Sequence, residues 1–339
     1  MKATREDNLM KARKLIALLM TAIMTMSLAA CGGSGDSTEA GDGEKTYNIG
    51  ICQLVQHDAL DAATQGFQDA LTEKLGDNVK FDLQNAAGDS ATCATITTQF
   101  VNDGVDLIMA NATPALQSAM AATADIPIVA TSVTDFATAL AIDDWTGTSG
   151  INVTGTADLA PLAEQAQMVK ELVPDAKTVG ILYCSAEANS KYQADVITEE
   201  FTALGIDVKE YTVADTNEIA SVVTKACDEV DVIYIPTDNT IASATAAVNE
   251  IATPANIPIV AGEEGICKGC GVATLSISYY SIGYEAGMMA YDILVNDADP
   301  AEMEIAYATE LTKKYVEERA LALQIEVPSD YEAIDMSAE

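Results

Sequence analysis

The chain has 339 residues and 49% of them are hydrophobic, enough for two packed lobes of roughly 150 residues each. Lys and Arg number 17 against 52 Asp and Glu, a formal net charge of −35. That balance argues against nucleic acid as a partner, since phosphate neutralisation needs clustered cations, and against direct docking on an anionic membrane.

The opening segment does not read as part of a fold. Lys11, Arg13 and Lys14 form a positive region, and residues 15–28 form an apolar run of signal-peptide length. Leu28-Ala29-Ala30-Cys31-Gly32 follows. Small residues before a Cys at the end of such a run resemble the lipobox of bacterial lipoproteins. The resemblance implies a signal peptide over 1–30 and lipidation of Cys31. Residues 1–9 read as an extension ahead of a tidier signal beginning at Met10. Without residues 1–30, 12 Lys and Arg face 50 Asp and Glu, a net of −38. Residues 31–46 read as a flexible tether, because the stretch GGSGDSTEAGDGEK has no large apolar side chain.

From residue 47 onward short apolar runs alternate with helical patterns. Strands are predicted over 47–53, 79–85, 105–110, 127–131, 178–184, 207–212, 230–235, 258–261 and 272–277. Helices are predicted over 59–75, 91–103, 114–124, 160–172, 190–204, 218–229 and 241–252. Nearly continuous apolar strands between helices indicate an α/β protein with parallel sheets covered on both faces.

The order of landmarks repeats. Ile49-Gly50-Ile51 is echoed by Val179-Gly180-Ile181, and Val105-Asp106-Leu107-Ile108 by Val230-Asp231-Val232-Ile233. Each half then reaches Ile-Pro-Ile-Val-Ala, at 126–130 and 257–261. Two α/β lobes of similar construction are therefore predicted.

Cysteine usage is not that of a disulfide scaffold. The spacing is irregular, and Cys267-Lys268-Gly269-Cys270 is a lone CxxC in a chain whose single histidine, His57, lies far away in sequence. No metal or other cofactor is expected. A GxGxxG or Walker-type phosphate loop and a GxSxG elbow do not occur, so the sequence does not read as an enzyme.

In open α/β sheets ligands bind beyond the carboxyl ends of the strands, where helices start. The loops there are Gln53 to His57, Asn111 to Pro114, Ser132 to Asp135, Ser185 to Ser190, Pro236 to Asn239 and Gly262 to Glu264. The candidate ligand-binding residues are Gln56, His57, Thr113, Thr134, Asp135, Tyr183, Glu187, Asn189, Ser190, Thr237, Asp238, Asn239, Glu264, Ser278 and Tyr279. The polar ones also serve as helix caps in any α/β protein, and the aromatic ones, with Trp145 and Tyr280, as packing residues. Beyond the leader Arg319 is the only arginine, which leaves no guanidinium to clamp a carboxylate or phosphate in the cleft. An anionic group would rest on helix starts and hydroxyls at Thr113, Ser190 and Thr237, and a cation on Asp135, Glu187, Asp238 or Glu264. That layout suits a zwitterion such as an amino acid; a neutral sugar would also accept many of these groups.

Several stretches taken together resemble a known family. They are Gln56-His57-Asp58-Ala59-Leu60-Asp61 with Gly66-Phe67, Ala112-Thr113-Pro114, Val133-Thr134-Asp135, Asn152-Val153-Thr154-Gly155, Glu187 with Asn189-Ser190, Thr237-Asp238-Asn239, and Tyr279-Tyr280-Ser281-Ile282-Gly283. Their order over 47–328 resembles ABC-transporter substrate-binding proteins, in the branch of tryptophan- and tyrosine-binding lipoproteins. The resemblance implies a type I periplasmic-binding-protein fold with two Rossmann-like lobes joined by a hinge. It further implies a small-molecule ligand between the lobes, preferably an aromatic amino acid, and permease subunits as membrane partners. Lobe one is expected over 47–157 plus 280–299 and lobe two over 158–279 plus 300–330, with helix 282–295 on lobe one and 303–308 returning to lobe two. The chain departs from the family at Phe136, where Pro often follows Thr-Asp, and at Ser278, where an Asp often stands. How an α-amino group would be held is therefore left open. A sugar or nucleoside receptor, or a ligand sensor for a signalling partner, are the alternative readings.

Overall fold

The structure is a computed structural model, and residues 45–337 are described. The leader, Cys31 and nearly all of the tether lie outside them. The first lobe runs β1 (Tyr47–Gln53), α1 (Asp58–Leu75), β2 (Val79–Asn85), α2 (Ser90–Asp103), β3 (Leu107–Asn111), α3 (Thr113–Ala122), β4 (Ile128–Val133), α4 (Phe136–Leu140) and β5 (Val153–Ala157). The second runs α5 (Leu162–Leu172), β6 (Thr178–Cys184), α6 (Ala188–Ala203), β7 (Asp207–Val213), α7 (Ile219–Glu229), β8 (Val232–Ile235), α8 (Asn239–Ala242), α9 (Thr245–Ala255), β9 (Ile259–Ala261), α10 (Glu264–Cys270) and β10 (Ala273–Ser276). Then come α11 (Tyr279–Asn296) and β11 (Ala306–Tyr307), followed by β12 (Thr312–Tyr315), α12 (Glu317–Ala322) and β13 (Glu332–Ala333).

The strands form two sheets, in the orders β11-β5-β4-β3-β1-β2 and β13-β12-β10-β9-β8-β6-β7. The repeat read from the sequence appears as one shared sub-order, β4-β3-β1-β2 in the first sheet and β9-β8-β6-β7 in the second. Every strand pair is parallel except β10 with β12. The inner strands β3, β4, β5, β8, β9 and β10 are buried throughout, as helices on both faces require, whereas the edge strands β2 and β7 mix exposed and covered positions. Phe67, Phe100 and Phe136 fill the first lobe, and Phe201 meets Tyr234 edge-on at 5.9 Å in the second.

Three segments cross between the lobes, at 158–161, 277–278 and 308–311. Helix α11 packs on the first lobe, with Ala286, Met289, Ala290 and Ile293 in one apolar cluster with Phe67 and Leu71 of α1. Residues 303–308 do not return to the second lobe. Ala306 and Tyr307 pair with Thr156 and Ala157 of β5, because the chain leaving α11 reaches the open edge of the first sheet before it crosses. The expected lobe-two segment 300–330 therefore loses its beginning to lobe one. The predicted helix 241–252 is two helices, and Pro254 is held in the last turn of the second. Strand β5 is absent from the expectation. Its sequence Val-Thr-Gly-Thr-Ala is not a continuous apolar run, yet all five residues are buried.

Candidate functional site

The carboxyl ends of both sheets border one cleft. A small cavity of about 10 Å3 lies there, lined by His57, Leu60, Ser132, Asp158, Asn189, Thr237, Asp238, Asn239, Ala242, Glu263 and Tyr279. Two hydrogen bonds cross it between the lobes. His57 Nε2 lies 3.2 Å from Asn239 Oδ1, and Gln193 Nε2 donates to Thr134 Oγ1 at 3.4 Å. Gln193 also ties α6 to the loop after β8, donating to Thr237 Oγ1 and accepting from the Thr237 N–H at 3.1 Å.

Six carboxylates surround the cleft, and most are engaged by the protein itself. Asp135 caps α4 by accepting from the Thr138 N–H at 2.7 Å. Glu187 accepts from Asn239 Nδ2 at 2.6 Å and from the Thr240 N–H and hydroxyl at 2.8 Å each. Asp238 accepts from the N–H groups of Cys184 and Ile241 at 2.6 and 2.8 Å. Glu263 accepts from those of Gly265 and Ile266. Glu264 pairs with Lys314 at 2.7 Å and Lys268 at 3.5 Å. Burial, and Glu187 beside it, push the Asp238 carboxyl up to about 7; burial does the same for Glu263, also about 7.

Asp158 differs from these. It follows β5 on the first crossing segment, is 95% covered, and accepts from the Tyr279 hydroxyl at 2.8 Å through Oδ2. Its Oδ1 is buried without a partner, and among the described residues no other carboxylate oxygen is in that position. Burial holds its carboxyl above the usual carboxylate range, against the opposing pull of the Tyr279 and Thr134 hydroxyls.

Other buried polar atoms without partners gather nearby. His57 Nδ1, Asn189 Oδ1 and Ser132 Oγ belong to residues lining the same cavity, and Thr113 Oγ1 opens α3 next door. Asn189 Nδ2 already serves Glu187, Ser190 and the Thr237 carbonyl, which leaves its amide oxygen free. Ala112 and Ser132 both hold positive φ, 87° and 56°. The Ala112 N–H reaches the Thr131 carbonyl at 3.1 Å, so the two turns lie side by side. Such backbone costs roughly 1–3 kcal/mol per residue, and here it sets two hydroxyl-bearing residues at the ends of β3 and β4.

Of the residues predicted from sequence, His57, Asn189, Thr237, Asp238, Asn239 and Tyr279 line the cavity. Thr113 and Thr134 are buried beside it. Glu187 and Ser190 act one step back, Glu187 holding the start of α8 and Ser190 donating to Asp238. Four do not reach it. Gln56 is exposed at the rim of a side groove with His57 and Asp58. Tyr183 points into the second lobe's core and donates to Glu210 at 2.6 Å, because alternate side chains of β6 face opposite sides of the sheet. Glu264 is held by lysines in a neighbouring groove, and Ser278 is an exposed cap of α11, accepting from the Ser281 N–H at 3.2 Å. Asp135, half-buried, is a cap only. Trp145 and Phe136 pack in the first lobe, and Tyr280 lies exposed. Sequence reasoning missed Asp158, Ser132 and Glu263 as individual residues. Reading 153–157 as a strand would have found Asp158, the first residue after it.

Residues 48–330 match the family model described as ABC transporter substrate binding protein. The chain belongs to that family. A tyrosine-binding protein of Clostridioides difficile is 36% identical over 295 residues, covering 84% of this chain and 85% of that one. A Streptococcus pneumoniae ABC domain in complex with L-Trp superposes with a TM-score of 0.81 at 34% identity, over 84% of this chain and 97% of that one. The ligand-free, open structure of a Clostridium difficile substrate-binding protein with adhesive properties gives 0.66 at 36% identity, over 86% and 100%. The fold is the type I periplasmic-binding-protein fold, two parallel-sheet lobes about a cleft. The superposition is better on the L-Trp complex than on the ligand-free, open structure, and two hydrogen bonds join the lobes of this substrate-binding protein.

Proposed function

We propose that this protein is the extracytoplasmic receptor of an ABC importer, anchored through a lipid on Cys31, and that it binds an aromatic amino acid. The observation that carries the ligand class is the polarity of the unpartnered atoms. Asp158 Oδ1, Asn189 Oδ1 and His57 Nδ1 belong to residues lining one cavity, and two of the three can only accept. An ammonium has three N–H donors and no acceptor, which is the complementary set. The hydroxyls of Ser132 and Thr113, with the first turn of α3, supply donors for a carboxylate. Leu60, Ala242 and the Tyr279 ring offer apolar surface for a side chain. Relatives with tyrosine or L-Trp in their names support the aromatic preference.

Asp158 lies on a crossing segment and Tyr279 directly after another, so an amine held there sits at the hinge and keeps its partner as the lobes move. Residues of both lobes complete the shell only on closure, which makes ligand affinity and closure one equilibrium. The test is a calorimetric panel of L-tyrosine, L-tryptophan, L-phenylalanine, glucose and adenosine. Binding of an aromatic amino acid is expected; binding of the sugar or nucleoside with no amino acid response would overturn the reading.

A further inference from the structure

His57 is the only histidine in the chain, and it does two things at once. It occupies the N-cap position of α1, yet its side chain makes no capping hydrogen bond. Its Nε2 instead reaches across the cleft to Asn239 Oδ1 at 3.2 Å. The orientation of that amide follows from Glu187. A carboxylate only accepts, and Glu187 Oε2 takes Asn239 Nδ2 at 2.6 Å, so the amide oxygen must face the ring. An oxygen facing the ring accepts, hence Nε2 carries the proton. Burial disfavours the charged ring, opposed by Asn239 and by the charges of Glu187, Asp61 and Asp58. In the neutral ring Nδ1 is then a bare acceptor, buried without a partner.

We propose that the Glu187–Asn239–His57 chain makes His57 a specificity-determining residue, which reads the ligand's protonated amine through Nδ1 while Nε2 latches the lobes together. This rests on the amino-acid reading above. An amine-bearing ligand satisfies the acceptor that closure buries; a desamino analogue leaves it empty, so recognition of the amine and completion of closure are coupled. Swapping the ring for an amide separates the two tasks. In His57→Asn the side-chain oxygen stands near the Nδ1 position but does not span to Asn239. In His57→Gln the amide reaches toward Asn239 but no acceptor remains at the δ position.

The experiment has two arms on the untagged full-length protein. The first is nitrogen-15 NMR of the single imidazole, with and without L-tyrosine and its desamino analogue 3-(4-hydroxyphenyl)propanoate, or L-tryptophan and indole-3-propanoate if these bind more tightly. We expect a protonated Nε2, a pyridine-like Nδ1, and an upfield move of Nδ1 with the amino acid and not with its analogue. The second arm measures affinity and ligand-induced contraction by calorimetry and small-angle scattering. We expect H57Q to reduce the preference for the amine-bearing ligand roughly 10- to 100-fold, the worth of a hydrogen bond to a charged group, while still contracting. H57N should keep most of the preference and contract less. A proton found on Nδ1, or an unchanged preference in H57Q, overturns the inference with the amino-acid reading intact. No binding of either amino acid by the wild type removes that reading and the inference together. The NMR arm needs no variant, so a misfolded H57Q does not leave the question unanswered.

Discussion

A carboxylate buried away from water is disfavoured unless a cation or several donors face it, and Asp158 has only neutral hydroxyls beside it, Tyr279 at 2.8 Å and Thr134, with Oδ1 left without a hydrogen-bond partner. Its neighbours Asp238 and Glu263 are also buried, but each takes two backbone N–H groups, Asp238 from the end of β6 and the start of α8 and Glu263 from the start of α10. Residues that weaken a fold and strengthen a site are separable by mutation, because the two effects have opposite signs. Asp158→Asn keeps an acceptor for Tyr279 and removes the charge. We expect it to weaken binding of the amino acid by more than a hundredfold, roughly 3 kcal/mol, since the ligand's ammonium would then be buried unpaired. The melting temperature of the unliganded protein should stay level or rise. A variant that melts earlier and binds equally well would show that Asp158 is a structural residue. Proton bookkeeping gives a second readout. The free carboxyl is held above its usual range and an ammonium favours its ionised form, so binding should release protons at pH values just above the ordinary carboxylate range, seen as a calorimetric enthalpy that changes with the buffer.

Helices α1 and α11 pack backbone against backbone, and glycine is what permits it. A Cβ on Gly283 would stand 2.0 Å from the Ala63 carbonyl oxygen, and one on Gly66 would stand 2.1 Å from that of Tyr280. Backbone cannot yield as a flexible side chain does. Gly283→Ala is therefore expected to destabilise the protein by about 3 kcal/mol, and to weaken the ligand as well, because α11 begins at Tyr279 and carries its hydroxyl to Asp158. An unshifted melting curve would mean that the helices separate at no cost. These same elements show how far the sequence could be read. Strands 47–53, 79–85 and 178–184 have the predicted bounds, since long apolar alternations with clear turns leave little choice. Strand β5 escaped notice because threonine and glycine replace aliphatic side chains where β4 and α11 press against it; the Thr156 hydroxyl donates to the Ile282 carbonyl at 3.1 Å. Missing that strand hid Asp158. Strands β11 and β13 have two residues each, too short for any pattern, and β11's pairing depends on where the chain leaves α11. The cleft's loops were legible as polar helix starts, but which of their side chains are caps and which stay free depends on contacts between lobes that no local pattern records.

The whole molecule carries a net of −35, and buried carboxyls meet at one cavity: Asp158 from the first crossing segment, Asp238 and Glu263 from the second lobe. For Asp238 and Glu263 the sign runs opposite to that of a salt-bridged acid. Their values of about 7 lie above the ordinary range near 4, so between those limits the folded chain binds more protons than the unfolded one. Stability is then fully present below the unfolded value and is lost as pH rises through about 7. Exposed carboxyls held low, such as Asp330 beside Lys313, act in the opposite sense, at more acid pH. We expect the unliganded protein to melt at a higher temperature at pH 5.5 than at pH 8. Repulsion among surface acids would give the same trend, so the variant Glu263→Gln decides between the causes. It keeps an oxygen for one N–H of α10 and cannot ionise, and it should gain on the wild type at pH 8 while losing that advantage at pH 5.5. Parallel pH profiles for the two proteins would assign the trend to surface charge and not to the buried acids of the cleft.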